Sequence, residues 1–123
     1  MILKGGTMGK RFDEIVENIR ADEIAKLTLD LVKIPSSTGN ELEACKFYAH
    51  HLEKAGLEVE LDRVEENRPN VIAKIPGKGR GPNLMLCGHL DTIPPEGCVS
   101  PKIEEGRVYG RGSCDMKGSL AAV

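Results

Sequence analysis

Phe12, Ile15, Val16 and Ile19 recur at three- and four-residue intervals, and Ile24, Leu27 and Leu31 do so again on a rotated face. That spacing stacks side chains on one side of a helix. The change of face leaves two solutions: a single drifting helix, or a break near Arg20–Asp22 with Asp22 capping the second piece. Pro35 ends the run, because the residue before a proline avoids helical torsions. Ahead of it, residues 1–10 are glycine-bearing and aperiodic, and are expected to be a disordered extension to a domain covering 11–123. Thr38 and Glu41 stand three apart, as in a capping box. The helix they open should bury Leu42, Cys45, Ala49 and Leu52, expose Glu43, Lys46, His50 and Glu53, and stop at Gly56.

Beyond Gly56 the period changes to two. Leu57–Asp62 alternates apolar and acidic residues, which predicts a half-buried strand, and Asn70–Ile75 predicts a second. Residues 76–82 form a proline- and glycine-rich turn before the apolar run Leu84–Cys87, which suits a short strand buried on both faces. The glycines of that turn do not make a phosphate loop, since a strand rather than a helix follows Pro82. Lys102–Glu104 and Arg107–Tyr109 read as a hairpin around Glu105 and Gly106, and the last residues as the first turns of an apolar helix.

The chain has 123 residues and a formal net charge of −2. That length allows one domain with a core, and the charge balance gives no footprint for a nucleic acid. Its apolar runs are too short for a membrane span. Four cysteines without a Cys-x-x-Cys pair predict free thiols and a cytoplasmic location.

The chemistry concentrates in two places. His89 and Asp91 follow the apolar run directly, and in extended backbone they point the same way. The Asp91 carboxylate can then hold one ring nitrogen of His89 and leave the other for a metal. Gly110 and Gly112 precede Asp115, allowing close backbone approach to whatever that carboxylate binds. An aspartate before a helix ordinarily caps it, but the two motifs together favour a ligand site beyond strand ends. His50 and His51, adjacent on a helix, diverge too far to share a metal.

Gly88-His89-Leu90-Asp91-Thr92 and residues 109–118 resemble the two N-terminal signatures of the zinc-dependent family of acetylornithine deacetylase, succinyl-diaminopimelate desuccinylase, aminoacylase and glutamate carboxypeptidase. Ile34-Pro35-Ser36, Gly39-Asn40-Glu41 and Asn70-Val71-Ile72-Ala73 follow the same order, so the likeness covers about Asp22 to Val123. Ser119, where the family usually has glycine, and a shorter loop between the motifs are the departures. The resemblance implies an α/β fold, the N-terminal part of a three-layer α/β/α catalytic domain with a mixed sheet. It implies His89 and Asp115 as metal ligands, Asp115 bridging two ions, and Asp91 orienting His89. It further implies Zn2+, two per complete site, with Co2+ or Mn2+ as substitutes. The activity implied is hydrolysis of an amide in a small N-acylated amino acid or peptide, by a metal-activated water and a glutamate base. That glutamate, the later ligands and a lid domain lie downstream of the second motif in the family. The chain is therefore expected to be a truncated piece, inactive alone.

Two further readings are open. A non-catalytic binding or assembly module would retain half a metal site and self-associate through apolar surface. A thiol mechanism would pair Cys114 with His89 as base, although the surrounding residues lack a nucleophile-elbow pattern.

Overall fold

The computed structural model describes residues 8–123, with side chains from Phe12 onward. α1 (Met8–Glu17) and α2 (Ala21–Lys33) are separate helices, so the change of apolar face is a break. α1 starts inside the segment expected to be disordered, because the Met8–Phe12 spacing extends the helical pattern by a turn. Residues 1–7, the rest of that expectation, lie outside the described residues. Arg20, not Asp22, holds the position ahead of α2, in extended backbone. Asp22 lies in the first turn, accepting a hydrogen bond from Arg20 at 3.3 Å and complementing the positive helix end. Ile34 leaves the helix at φ −90°, ψ 111°, as the following proline requires.

The expected capping box does not form. Glu41 itself precedes α3 (Leu42–Lys54), and its carboxylate accepts from Gly39 N–H at 2.9 Å and from Arg68 Nε–H at 3.2 Å. Thr38 is drawn elsewhere, donating to Asp91 Oδ2 at 2.7 Å. α3 buries Ala44, Cys45, Tyr48 and Ala49 and leaves Glu43, Lys46, His50 and Glu53 outside. It stops at Gly56, whose φ of +89° suits a residue without Cβ.

β1 (Glu58–Glu65) and β2 (Arg68–Lys74) pair antiparallel, from Glu58 opposite Lys74 to a bulge at Arg63–Glu65. β3 (Lys102–Glu104) and β4 (Arg107–Tyr109) form a separate hairpin. Glu105 and Gly106 turn it with φ of 49° and 73°, the torsions of the tight turn that matches strand twist. The architecture is thus α/β with two small antiparallel sheets among the described residues. α4 (Gly118–Ala122) closes the chain.

One strand expected from the sequence is not formed. Leu84–Cys87 pairs with nothing, and Leu84 and Met85 are 84% and 85% exposed. A strand buried on both faces needs neighbours to satisfy its backbone and cover its side chains, and none of the described residues supplies them.

The core is built by α2, α3 and α4. Leu27, Leu31 and Tyr48 form its centre, with Phe47, Leu52, Val71, Leu90, Leu120 and Ala121 packed around it. Tyr48 also donates its hydroxyl to Leu120 O at 2.8 Å, tying α4 to α3. Lys117 is fully buried, and its Nζ donates to Leu31 O at 2.9 Å and Ile34 O at 2.8 Å. Pro35 has no N–H to return to the carbonyl four residues earlier, so Leu31 O keeps only Ile34 N–H at 3.2 Å and has a lone pair free for the ammonium. A cation at a helix C-terminus meets the negative end of the dipole. Burial pushes the Lys117 ammonium down from 10.5 to about 8.

Candidate functional site

The segment from Ile34 to Thr38, between α2 and α3, fixes the position of the first motif. Ser36 is buried and donates its hydroxyl to Leu90 O at 2.7 Å. Its own carbonyl accepts Thr92 N–H at 2.9 Å, and Thr38 N–H reaches Thr92 O at 3.2 Å, a short parallel bridge. Leu90 packs into the core while its neighbours His89 and Asp91 project from the opposite side.

The second motif is held by Lys117 and by two close approaches. Gly110 and Gly112 take φ of +133° and +85°. A Cβ on Gly110 would come within 2.4 Å of Val32 Cγ1, and one on Gly112 within 2.7 Å of Thr92 Cγ2. Both glycines are therefore needed for torsion and for space. Across Ser113–Lys117 the chain leaves helical torsions at Asp115 (φ −125°, ψ 98°) and Met116 (φ −134°, ψ 29°). Asp115 makes no capping bond to α4.

Its carboxylate goes instead to the first motif. Asp115 Oδ1 lies 3.0 Å from His89 Nε2, although the residues are 26 positions apart. The other ring nitrogen, Nδ1, faces Asp91, with the main-chain oxygen at 3.0 Å and Oδ1 at 3.2 Å. The main-chain oxygen is thus the nearer partner of Nδ1, where the sequence pointed to the carboxylate. The hydrogen bond that His89 Nδ1–H donates to the Asp91 carbonyl is the main cause raising the His89 pKa above its ordinary 6.5, with burial opposing and the Asp115 and Asp91 carboxylates adding. Thr38, absent from the sequence-based site, completes the row through Asp91 Oδ2.

One imidazole nitrogen and one carboxylate oxygen, both open to solvent at 47% and 87% side-chain exposure, are a donor set for a divalent cation. Two donors about 2.1 Å from one ion and 3.0 Å from each other subtend roughly 90°, inside the range of metal geometries. No group of three or more His, Cys, Asp or Glu residues poised around an ion occurs among the described residues. His50 and His51 are both exposed on α3, away from this pair. The two His89 nitrogens face Asp91 and Asp115, so the imidazole is not turned to Cys114 as a thiol mechanism requires. Cys45 is buried, Cys87, Cys98 and Cys114 are exposed, and all four are free.

Residues 85–123, which carry both motifs, match the sequence profile described as Peptidase family M20/M25/M40. Over these residues the chain carries the signature of that family's N-terminal portion. It is 42% identical over 103 residues to a putative LysW-lysine/LysW-ornithine hydrolase of Thermococcus kodakarensis, covering 84% of this chain and 28% of the relative. It is 41% identical over 104 residues to a peptidase M20 domain-containing protein of Schizosaccharomyces pombe, covering 82% and 25%. A probable succinyl-diaminopimelate desuccinylase of Staphylococcus aureus is 32% identical over 108 residues, covering 82% and 26%. The chain thus spans about a quarter of the length of these relatives. No helix among the described residues is long and apolar enough to cross a membrane.

Proposed function

We propose that these residues supply the first ligands of a metal-dependent hydrolase acting on amide bonds of N-acylated amino acids or small peptides. The observation that carries the reading is the 3.0 Å approach of His89 Nε2 to Asp115 Oδ1, with Nδ1 turned to Asp91. His89 ligates through Nε2, Asp115 through its carboxylate, and Asp91 accepts the Nδ1 proton, fixing the tautomer that leaves Nε2 free. Zn2+ is the metal this donor set would suit best, two per complete site with Asp115 as the ligand they would share, and Co2+ or Mn2+ would be workable substitutes. When bound, the metal would lower the pKa of a water and polarise the scissile carbonyl.

One imidazole and one carboxylate do not fill the coordination sphere of zinc with protein groups. The base that moves the proton and the remaining ligands are assigned to residues other than these 123, and the chain by itself is expected to be inactive. The relatives' names, a hydrolase of LysW-lysine and LysW-ornithine and a desuccinylase, support an acylated amino acid or peptide as substrate. In the complete catalytic domain the Leu84–Cys87 run takes its place in the mixed sheet of a three-layer α/β/α fold. Free cysteines, three of them exposed, fit a reducing cytoplasm.

Isothermal titration with Zn2+ tests this reading. The protein should take up the ion, and His89→Ala or Asp115→Ala should abolish uptake; unchanged uptake in Asp115→Ala would overturn the shared site. A second reading, a binding or assembly module, draws on the exposed Leu84, Met85, Leu86 and Ile93. A defined oligomer by size-exclusion light scattering, with stoichiometric zinc, would favour it.

A further inference from the structure

We infer that Thr38 is a positioning residue for the metal-binding histidine, acting through the carboxylate of Asp91. The inference rests on the reading of His89 and Asp115 as ligands, and it adds a residue 53 positions upstream of Asp91 that neither motif contains.

The geometry forms a row. Thr38 Oγ1 donates to Asp91 Oδ2 at 2.7 Å, Asp91 Oδ1 lies 3.2 Å from His89 Nδ1, and His89 Nε2 lies 3.0 Å from Asp115 Oδ1. A carboxylate rotates about its side-chain bonds unless both oxygens are engaged. With Oδ2 held by the hydroxyl, Oδ1 stays turned to the imidazole. Such outer contacts set ring orientation and basicity at metal sites.

The hydroxyl is placed by main chain, which separates it from an incidental surface contact. Thr38 N–H binds Thr92 O, the residue after Asp91, and Thr92 N–H binds Ser36 O. Buried Ser36 locks Leu90 O from the same segment. Thr38 and Asp91 are therefore in fixed register from both sides. The role also accounts for the failed capping box: the threonine expected to cap α3 gives its hydrogen bond to Asp91, and Glu41 takes over the Gly39 N–H. Serine can make the same bond, whereas valine keeps the branched shape and loses the donor.

The test compares the protein with Thr38→Val and Thr38→Ser, using Co2+ as the probe. One readout is Co2+ affinity from visible absorption; the other is the position of the His89 Nδ1 proton in metal-free nitrogen-15 spectra. Thr38→Val should weaken Co2+ binding by about 10–100-fold and move the Nδ1 proton upfield, with Thr38→Ser restoring both and far-ultraviolet circular dichroism unchanged. Unaltered affinity and Nδ1 shift in Thr38→Val would overturn the inference, and so would a loss that serine does not rescue or a loss of affinity without any change at Nδ1. If the unaltered protein takes up no Co2+, the metal reading fails, and the metal-free Nδ1 shift decides the role of Thr38 on its own.

Discussion

Lys117→Met removes an ammonium from the interior while keeping a side chain of similar length. Two opposing quantities decide the outcome. Hydrogen bonds from a charged donor contribute about 1.5–3 kcal/mol each, and Lys117 makes two, to Leu31 O and Ile34 O. Against them stands the desolvation that pushes the group from 10.5 to about 8, a difference worth roughly 3 kcal/mol. Near neutral pH the variant should therefore lose only about 0–3 kcal/mol. The pH dependence is more telling. Because the folded-state pKa is depressed, the unfolded chain binds more protons between about 8 and 10.5, so stability rises with pH across that window. The gap between the parent protein and Lys117→Met should widen by up to roughly 3 kcal/mol from pH 8 to 10.5. Tyr48 and Cys45, both pushed up by burial, act in the opposite sense there, but they occur in both proteins and cancel in the difference. Urea unfolding followed by circular dichroism at several pH values measures the gap. A gap that stays flat or narrows would refute a desolvated lysine at the end of α2.

Gly112→Ala should destabilise by about 2–4 kcal/mol in urea unfolding, since it adds a left-handed torsion cost to overpacking at a position of φ +85° and 2.7 Å from Thr92. Asp91→Ala should weaken zinc affinity by about 10–100-fold in isothermal titration without abolishing it, because the main-chain oxygen still faces Nδ1. Zinc binding needs neutral imidazole, so affinity should fall as pH drops through a His89 pKa raised above 6.5; competition titrations across pH should place that fall higher than for an unperturbed histidine side chain. With a maleimide, Cys45 should react far more slowly than Cys87, Cys98 and Cys114, as burial raises its thiol pKa; equal rates by mass spectrometry would contradict its place under β2.

Much of this was legible in residue order because local chemistry decided it. The period-3.6 runs of α2 and α3, the Gly56 stop, the Pro35 ending and the hairpin at Glu105–Gly106 each follow from spacing or torsion. What was missed depends on long-range partners. Thr38 and Glu41 look like a capping box until Asp91 and Arg68 compete for them. Nothing in the local sequence marks Lys117 as buried, because its acceptors Leu31 O and Ile34 O stand 86 and 83 positions upstream. Leu84–Cys87 has the composition of a buried strand, but composition cannot supply the neighbours that would bury it. At the site, His89, Asp91 and Asp115 were named from their motifs, whereas the use of the Asp91 main-chain oxygen was invisible, because every residue carries one.

The most direct measurement is anomalous diffraction at the zinc edge from crystals of the protein soaked in Zn2+. The account predicts one peak within about 2.3 Å of both His89 Nε2 and an Asp115 carboxylate oxygen. Zinc bound through His50 or a cysteine, with none between His89 and Asp115, would contradict it.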